Sequence, residues 1–387
     1  MLASKFNENK PLTLGILGGG QLAKMIEIAG YPMGINFSII ENGENTPAGD
    51  MTQLEFTSGW KNKEDLDTFI EVSDIITLEN EFIEPEILEY IEERKIVYPS
   101  SKTMRLVRDK YIQKTTFVNA GLEVADFQEI NSIDEGIKFG NKYGFPFVLK
   151  AREFSYDGYG NAKIDSPEGL KNAWSRFNSN GISRSLYAEK FIPFKKELAV
   201  MVVRKANGNY AIYPCVETIQ KNHICHKVIA PANISDNIGE RAKSIALKCI
   251  EAINGVGVFG VELFLTEDDN LLVNEIAPRP HNSGHYTIEG SYTSQFENCI
   301  RAVLDLPLGS TEMIRPVAVM INILGERTGS GVPTNVINLL SNKKAKLHLY
   351  GKKSSRVGRK MGHVTVIGDN YPDTLALCEK AVNELVW

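Results

Sequence analysis

The chain has few cysteines, and no two of them are spaced as a zinc-binding pair. Its five cysteines are scattered over 387 residues without a C-x-x-C spacing. This pattern argues against the common zinc-finger arrangements and indicates no disulfide framework. We expect reduced thiols that are mostly buried as small apolar side chains.

The chain also lacks long apolar runs and an excess of positive charge. No run approaches the roughly 18 residues that a membrane-spanning helix needs, and residues 1–10 lack the apolar core of a secretion signal. The net charge of −5 and the pI of about 5.8 argue against a general polyanion-binding surface. We therefore expect a cytoplasmic protein that binds neither membranes nor nucleic acid.

The length and the order of the apolar segments predict three domains of mixed α/β and α+β class. With 387 residues and 43% hydrophobic content, the chain can bury more than one core. Strands alternate with helices in residues 1–101, which predicts a parallel, Rossmann-like sheet. Residues 102–309 begin with helices and continue as hairpin-linked strands. Residues 310–387 are predicted to form a small, β-rich C-terminal domain that ends in an amphipathic helix over residues 374–385.

A glycine-rich turn follows the first predicted strand. Gly18-Gly19-Gly20-Gln21-Leu22-Ala23 matches the G-x-G-x-x-[GA] pattern, and Glu41 lies near the distance expected of a ribose-binding acid. The pattern indicates a dinucleotide site, as in an NAD-dependent oxidoreductase. The same glycines also allow close packing of a helix on a strand, so both interpretations stay open.

Two glutamates are predicted to face each other across a hairpin. Glu262 and Glu275 lie on apolar runs that are separated by the turn residues Asp268-Asp269-Asn270. Symmetrical pairing about this turn places the two carboxylates opposite each other, where like charges repel. Mg²⁺, which binds one or two carboxylates together with substrate phosphates, would relieve this repulsion. The alternative is a solvated hairpin face with an accidental pair.

A lysine at the end of a predicted strand precedes a second glycine-containing segment. Lys150 is followed by residues 154–160, which include two glycines. The ammonium can bind phosphate oxygens while backbone N–H groups close over them. Further along, the backbone of residues 189–192 could bind an adenine edge, and Glu197 could bind ribose hydroxyls. Each feature alone fits a solvated surface, but their order together with the glutamate pair favours nucleotide binding.

This order of features resembles the ATP-grasp superfamily, and its details resemble the 5-(carboxyamino)imidazole ribonucleotide synthetases within it. The resemblance covers residues 14–363. Its most specific segments are residues 18–22, 77–79, 156–158, 274–287, 294–297 and 358–363. The run Asn282-Ser283-Gly284-His285 favours these synthetases over a related formate-using ligase, in which Asp-Thr-Gly typically stands at this place.

The resemblance implies a fold and a set of functional residues. The fold is an ATP-grasp body between a Rossmann-like domain and a small C-terminal domain. The implied ATP-binding residues are Lys110, Lys150, Phe154, Ser155, Tyr156, Asp157, Gly158, Tyr159, Gly160, Glu189, Lys190, Phe191, Ile192, Glu197, Gln220, Asn274 and Glu275. The implied ribonucleotide-binding residues are Glu79, Tyr156, Asp157, Asn282, Ser283, His285, Lys352 and Arg359. Glu262 and Glu275 would hold Mg²⁺.

The activity that the resemblance implies is a ligation in purine biosynthesis. ATP, bicarbonate and 5-aminoimidazole ribonucleotide would give ADP, phosphate and the N-carboxylated ribonucleotide, by way of carboxyphosphate. Lys150 would stabilise charge on the transferred phosphoryl group, Arg279 would bind bicarbonate through its planar fork, and Asp157 would take a proton from the attacking amine. The expected assembly is a homodimer.

Three other interpretations stay open at this point. One is another ATP-grasp carboxylate-amine ligase acting on a purine intermediate, of the formate-dependent glycinamide ribonucleotide transformylase type. An NAD-dependent oxidoreductase would use residues 18–23 but leaves Glu262 and Glu275 unexplained. A catalytically silent nucleotide-binding subunit is suggested by Tyr159 and Gln220, where the family usually has a basic residue and a histidine.

Tyr159→Arg should lower the KM for aminoimidazole ribonucleotide and leave the KM for ATP nearly unchanged. A phenol can donate one hydrogen bond to a phosphate but carries no charge. A charge-assisted hydrogen bond of roughly 1.5–3 kcal/mol corresponds to about one to two decades of affinity, which steady-state kinetics with varied ribonucleotide can resolve. Unchanged KM values in Tyr159→Arg, Lys352→Ala and Arg359→Ala would mean that the 5′-phosphate binds elsewhere.

Overall fold

The computed structural model describes residues 11–153, 160–179, 184–221 and 224–385 of the chain. Strands in these ranges form a five-stranded sheet, a four-stranded sheet, a nine-stranded sheet and a two-stranded ribbon. Helices connect the strands throughout, so the mixed helix and strand content agrees with the class predicted from the sequence.

The first sheet is parallel, as the alternation of strands and helices predicts. Its elements are β1 (Thr13–Leu17), α1 (Gln21–Gly30), β2 (Asn36–Ile40), β3 (Glu55–Phe56), α2 (Lys63–Val72), β4 (Ile75–Leu78), α3 (Pro85–Glu92) and β5 (Val97–Tyr98). The strand order is β3-β2-β1-β4-β5. Leu14 and Ile16 pack with α1 on one face, whereas Leu17 packs with α2 and α3 on the other. The strand order reverses between β1 and β4, and in open α/β sheets ligands bind at the carboxyl ends of strands at such a point.

The next segment contains two helices and a four-stranded antiparallel sheet. Its elements are α4 (Ser101–Val107), α5 (Lys110–Asn119), β6 (Phe127–Ile130), α6 (Ile133–Tyr143), β7 (Phe147–Ala151), β8 (Asn161–Ile164), α7 (Pro167–Phe177) and β9 (Leu186–Lys190). The strand order is β6-β9-β7-β8. Lys150 lies opposite Asn161 in the β7–β8 hairpin, so the connection of this hairpin contains residues 154–159.

The large sheet is built from the rest of the chain. Its elements, with the helices and the ribbon between them, are β10 (Phe194–Arg204), β11 (Tyr210–Ile212), β12 (Val216–Lys221), β13 (Ile224–Ala230), α8 (Asp236–Ala252), β14 (Gly257–Thr266), β15 (Leu271–Ala277), α9 (Thr287–Gly290), α10 (Gln295–Val303), β16 (Val317–Leu324), β17 (Gly329–Ser330), α11 (Val336–Leu340), β18 (Lys346–Leu349), β19 (Ser354–Ser355), β20 (Lys360–Gly368) and α12 (Tyr371–Asn383). The strand order is β15-β14-β10-β12-β13-β16-β20-β18, with β11 on β10, while β17 pairs with β19. Short 3₁₀ turns span Tyr31–Met33, Gly49–Met51 and Asn282–Gly284.

The C-terminal strands extend the large sheet. β16 pairs with β13, and β20 pairs with β16. Apolar residues of α12 pack on β16 and β20 and form a core of their own with them. The segment after residue 309 is therefore hydrogen-bonded directly to the segment before it, and the domain boundaries near residues 101 and 309 stay predictions.

Polar side chains cap the starts of most of the described helices. In α6, the Ser132 hydroxyl accepts the Glu135 N–H at 3.2 Å, which is one half of a capping box. The final helix, predicted over residues 374–385, spans Tyr371–Asn383 because Asn370 caps it and Pro372 lies in its first turn. The apolar periodicity alone did not indicate this earlier start.

The cysteines lie where the composition predicts them. All five are free and buried. No helix in the described part of the chain is long and apolar enough to cross a membrane.

Glu27 is a buried carboxyl group on α1. It is 0% exposed, and neither of its carboxyl oxygens has a hydrogen-bond partner among the described residues. Burial raises the pKa of Glu27 to about 9, against attraction from Lys24 and with a further contribution from Glu55. The folded protein therefore holds this carboxyl protonated at neutral pH.

Glu27→Gln should stabilise the protein, and the gain should grow with pH. Glu27 ionises near its ordinary pKa of 4.5 in the unfolded chain but keeps its proton up to about 9 in the folded protein. Its contribution to stability is therefore fully present below pH 4.5 and is lost as the pH rises towards 9. Glutamine cannot ionise, so it removes this loss.

The measurement is the thermal unfolding midpoint of wild type and variant at about pH 5.5 and about pH 8.5. Glu71→Gln, at an exposed position on α2, is the matched control and should give no pH-dependent gain. An equal gain for Glu27→Gln at both pH values would contradict the assignment.

Candidate active site

The glycine-rich turn after β1 holds two carboxylates of the protein itself. Glu79 Oε1 accepts the Gly20 N–H at 2.8 Å, and its Oε2 accepts the N–H groups of Leu22 and Ala23 at 3.1 Å. Glu41 Oε2 accepts the Gly19 N–H at 3.2 Å. A Cβ atom on Gly20 would lie 2.4 Å from Glu79 Oε1, so glycine is needed here to admit the carboxylate.

These hydrogen bonds argue against a dinucleotide site at the glycine-rich turn. A helix N-terminus attracts anions, and in α1 that place is taken by Glu79, which is 8% exposed. Burial raises the pKa of Glu79, against the hydrogen bonds from Ala23 and Gly20. A pyrophosphate would have to displace this carboxylate, so the glycines serve close packing. The ribonucleotide contact implied for Glu79 stays a prediction.

Glu262 and Glu275 lie directly opposite each other on β14 and β15. Burial raises the pKa of Glu262 to about 8, and repulsion from Glu275 and Glu197 adds to this effect. Lys110 Nζ lies 3.0 Å from Glu275 Oε2. The predicted repulsion between the two glutamates is therefore present, and Lys110 compensates part of it.

The residues around this pair fit a divalent cation that is also bound by phosphate. The Oδ1 atom of Asn274 is buried without a hydrogen-bond partner among the described residues, while its Nδ2 donates to Glu262 Oε2 at 3.3 Å. Within the described ranges, no group of three or more His, Cys, Asp or Glu side chains could hold a metal ion by itself. Two carboxylates are what Mg²⁺ takes from protein when substrate phosphates supply other ligands.

Two lysines bind one buried glutamate. Glu189 Oε1 lies 2.8 Å from Lys150 Nζ, and its Oε2 lies 2.7 Å from Lys114 Nζ. Burial acts to raise the pKa of Glu189, but attraction and hydrogen bonds from Lys114 and Lys150 outweigh it and lower the pKa to about 2. The carboxylate is thus ionised throughout the physiological range and holds both ammonium groups in place. Lys114 also donates to the Asn274 carbonyl at 2.9 Å.

A second group of predicted nucleotide contacts lies on and near β9, β10 and β12. Burial raises the pKa of Glu197 to about 7, and a hydrogen bond from Gln220 opposes this shift. Phe191 is 39% exposed, Ile192 is half-buried, and Lys190 Nζ lies 3.7 Å from Asp126. Their contacts with ATP stay predictions.

Arg279 follows β15 and forms a two-pronged ion pair. Its Nε and Nη2 atoms donate to Glu81 Oε2 and Oε1 at 2.5 and 3.0 Å. Nearby, His281 Nε2 lies 3.5 Å from Glu262 Oε1, and His281 Nδ1 lies 2.8 Å from the Ser283 hydroxyl. Arg279 and His281 therefore lie beside the glutamate pair, on the segment that continues from β15.

Three of the predicted ribonucleotide contacts are buried in the protein interior. Asn282 and Asn322 exchange two amide hydrogen bonds at 2.9 and 2.6 Å. Ser283 is 0% exposed, and His285, at 1% exposed, has its Nδ1 3.0 Å from Gln295 Nε2. These side chains have polar partners within the protein, and their role in substrate binding stays a prediction.

The two predicted phosphate cations lie near the start of β20. Lys352 Nζ donates to the Lys360 carbonyl at 2.7 Å, and Arg359 Nη1 donates to the Ser354 carbonyl at 2.7 Å. Both groups are thus engaged with backbone oxygens. The predicted residues Phe154, Ser155, Tyr156, Asp157, Gly158 and Tyr159 lie outside the described residues, and Gly160 follows them with a φ of +86°.

The sequence analysis missed three residues of this region: Lys114, Glu81 and His281. A local signal existed for Lys114, because residues four apart on a helix share a face and Lys110 was already a candidate. Glu81 lies two residues after Glu79 but contacts a residue far along the chain. His281 lies within the most specific segment and was not singled out.

Family models match most of the chain in three consecutive parts. Residues 12–108 match a ribonucleotide synthetase preATP-grasp domain, and residues 115–296 match an ATP-grasp domain. Residues 318–376 match a phosphoribosylaminoimidazole carboxylase C-terminal domain. Lys150, Glu189, Glu262 and Glu275 lie within the part that matches the ATP-grasp domain, whereas Lys110 and Lys114 lie just before it.

Relatives that match nearly the whole chain define a narrower class of protein than the ATP-grasp domain does. The N5-carboxyaminoimidazole ribonucleotide synthase of Bacillus subtilis is 36% identical over 91% of this chain and 90% of its own length. The phosphoribosylaminoimidazole carboxylase of Saccharomyces cerevisiae is 40% identical over 96% of this chain. The chain spans about two thirds of that yeast protein, 65% of its length.

Solved structures of carboxyaminoimidazole ribonucleotide synthases superimpose on nearly the whole chain. A carboxyaminoimidazole ribonucleotide synthase from Aspergillus clavatus, complexed with ATP, superimposes with a TM-score of 0.89 at 35% identity, covering 97% of this chain and 98% of that one. The Thermotoga maritima N5-carboxyaminoimidazole ribonucleotide synthetase gives a TM-score of 0.86 at 37% identity over 97% and 99% of the two chains. The chain belongs to the N5-carboxyaminoimidazole ribonucleotide synthase family.

Lys114→Met should destabilise the protein because it leaves buried Glu189 with one of its two cationic partners. Glu189 Oε2 and the Asn274 carbonyl lose the Lys114 ammonium, and leaving a buried acceptor without its partner typically costs about 1–3 kcal/mol. The double variant Lys114→Met/Glu189→Gln should recover none of the loss, because it also leaves the Lys150 ammonium without its carboxylate partner. The measurement is the thermal unfolding midpoint of each variant.

Lys243→Met is the matched control, because the Glu240 side chain that Lys243 contacts is 72% exposed and such pairs contribute little. A loss in Lys114→Met no larger than in this control would contradict the role given to Lys114.

Proposed function

We propose that this protein is an ATP-dependent ligase that joins bicarbonate to the exocyclic amine of 5-aminoimidazole ribonucleotide. The products are the N-carboxylated ribonucleotide, ADP and phosphate, and carboxyphosphate is the intermediate. The observation that carries the proposal is the Glu262/Glu275 pair beside Lys110 and Arg279. It combines a place for a metal-bound triphosphate with a guanidinium suited to a planar anion. The solved structure of a similar protein, the N5-carboxyaminoimidazole synthase of Aspergillus clavatus, contains ADP and 5-aminoimidazole ribonucleotide. It supports this choice of substrate.

The proposed metal ligands are Glu262 and Glu275. These two carboxylates would hold Mg²⁺, and its positive charge would offset the negative charge of the phosphates during phosphoryl transfer. Asn274 lies between the two glutamates in the chain, and its buried Oδ1 faces no other described polar partner. The two glutamates thus supply negative charge, and the Asn274 Oδ1 atom supplies one further acceptor, at the proposed metal site.

The proposed nucleotide contacts place cations on the phosphates and polar groups on the nucleoside. Lys110 and Lys150 are held by Glu275 and Glu189 at 3.0 and 2.8 Å, so both ammonium groups are positioned before ATP arrives. Residues 189–192 would bind the adenine, Glu197 the ribose, and Gln220 and Asn274 complete the site. Residues 154–160 would cover the phosphates.

The carboxyl-transfer step needs an anion site and a base. Arg279 would hold bicarbonate, because a guanidinium matches a planar carboxylate-like group. Asp157 would accept the proton from the attacking amine, and Tyr156, Glu79, Lys352 and Arg359 would hold the ribonucleotide. Carboxyphosphate hydrolyses readily, so the covered site must exclude water. The homodimeric state and cytoplasmic location expected from the sequence are part of the same proposal.

A coupled ADP-release assay tests the function. With Mg-ATP, bicarbonate and 5-aminoimidazole ribonucleotide together, ADP should form at a rate well above that with any one of them omitted. Formate in place of bicarbonate, glycinamide ribonucleotide in place of the proposed amine, and NADH binding followed by fluorescence test the alternatives. Turnover that occurs only with formate and glycinamide ribonucleotide would instead assign the protein to the formate-dependent ligases.

Glu275→Gln should abolish turnover while leaving the fold intact. The amide keeps the size of the side chain but removes the charge that would bind the metal and hold Lys110. Retention of a tenth of the wild-type kcat, a loss of only about 1.4 kcal/mol of transition-state stabilisation, would contradict the assignment. Glu267→Gln, an exposed position on the turn of the same hairpin, is the control and should keep wild-type kcat.

A further inference from the structure

We propose that Glu81 positions Arg279 for the anion substrate and limits the positive charge that Arg279 presents to it. The inference rests on the proposed role of Arg279 in binding bicarbonate. Both carboxylate oxygens of Glu81 accept hydrogen bonds from the guanidinium, at 2.5 and 3.0 Å. A two-pronged contact of this kind fixes the plane of the guanidinium as well as its position.

Glu81 occupies one edge of the guanidinium and leaves the other available. An arginine has five N–H donors. The Nε–Nη2 edge of Arg279 is taken by Glu81, and Nη1 donates to the Pro280 carbonyl at 3.3 Å. Further N–H donors remain on the Nη1–Nη2 edge, which can bind a planar anion while Glu81 stays in place. Glu81 therefore acts as a positioning residue and is not displaced by the substrate.

The pair is partly buried and charged. The Arg279 and Glu81 side chains are 19% and 14% exposed. Burial acts to raise the pKa of Glu81, but attraction and hydrogen bonds from Arg279, with a contribution from Lys110, outweigh it and lower the pKa to about 2. An incoming anion thus always meets a guanidinium with a carboxylate beside it, and this carboxylate weakens the attraction.

The loop that carries Glu81 is anchored on its other side. Glu79, two residues earlier, accepts three backbone N–H groups at the start of α1. Arg279 is attached to the end of β15. The contact between Glu81 and Arg279 therefore joins the carboxyl edge of the parallel sheet to the strand that carries Glu275, and it holds Arg279 against a loop that Glu79 anchors.

The variant Glu81→Gln tests both proposed effects of Glu81: the orientation of the Arg279 guanidinium and the limit on its positive charge. The amide offers an oxygen to one N–H of the fork and an NH₂ group to the other, so the guanidinium loses its fixed orientation. We expect kcat to fall at least about tenfold, since small misplacements of a binding group cost this much or more. The KM for bicarbonate should fall several-fold, by up to about tenfold, because the variant lacks the negative charge that repels the anion. The KM for ATP should not change.

Two further variants complete the design, with ADP release measured in buffer depleted of CO₂. Glu81→Asp keeps the charge and shortens the side chain, so kcat should fall while the KM for bicarbonate stays near wild type. Glu84→Gln, on the same loop but paired with Lys61 and Trp60, should match wild type in both constants. Thermal unfolding of each variant shows whether it is folded, and Glu81→Asp decides the question if Glu81→Gln is not.

The outcomes are distinct. A lower kcat with a lower KM for bicarbonate in Glu81→Gln supports the proposal. A lower kcat with unchanged KM values would mean a purely structural role, and an unchanged kcat would mean that the orientation is set elsewhere; either result overturns it, as does wild-type kcat in Glu81→Asp. If wild-type protein shows no bicarbonate-dependent turnover, the proposed function fails first and this inference fails with it.

Discussion

Repulsion between two facing carboxylates of a partly buried hairpin is the constraint on which the rest of the site depends. Glu262 and Glu275 lie opposite each other, and burial together with this repulsion raises the pKa of Glu262 to about 8. The neighbours compensate it in part: Lys110 approaches Glu275 at 3.0 Å, and the Asn274 amide donates to Glu262 at 3.3 Å. With its pKa at about 8, Glu262 holds a proton at neutral pH, and a divalent ion bound between the two glutamates would release this proton.

The cations near this pair are held by acidic partners of their own. A free buried lysine would lose its charge or change its conformation, because burial alone disfavours the ammonium form. Glu189 contacts Lys150 and Lys114 at 2.8 and 2.7 Å. Burial lowers the pKa of Lys114, and attraction from Glu189 opposes this shift. Burying three charges together costs desolvation and adds little net stability. What it provides is a fixed geometry before ATP binds, and groups that need no reorganisation are the ones that stabilise a transition state best.

The sequence predicted the kinds of residue in the site better than their geometry. The pairing of Glu262 with Glu275 was correct, but the symmetrical turn assumed for it was not. Near the turn Leu265 lies opposite Leu271, a register centred on Asp268, and a bulge at Asn274 shifts the pairing by one residue before Glu262. Bulges leave little trace in a single sequence. Glu81 could not be assigned to Arg279 either, because 198 residues separate them and no periodicity connects them.

The parallel sheet shows how a familiar pattern can carry a different function. Its Gly18–Gly20 turn, helix start and strand order are those of a dinucleotide site, yet Glu79 and Glu41 take the backbone N–H groups that a pyrophosphate would need. Since an internal carboxylate satisfies the helix start, the loop after β4 is fixed without any ligand. That loop then extends Glu81 to Arg279. The parallel sheet thus supports the site, and the geometry of Arg279 depends on how this sheet is placed against the nine-stranded sheet that carries β15.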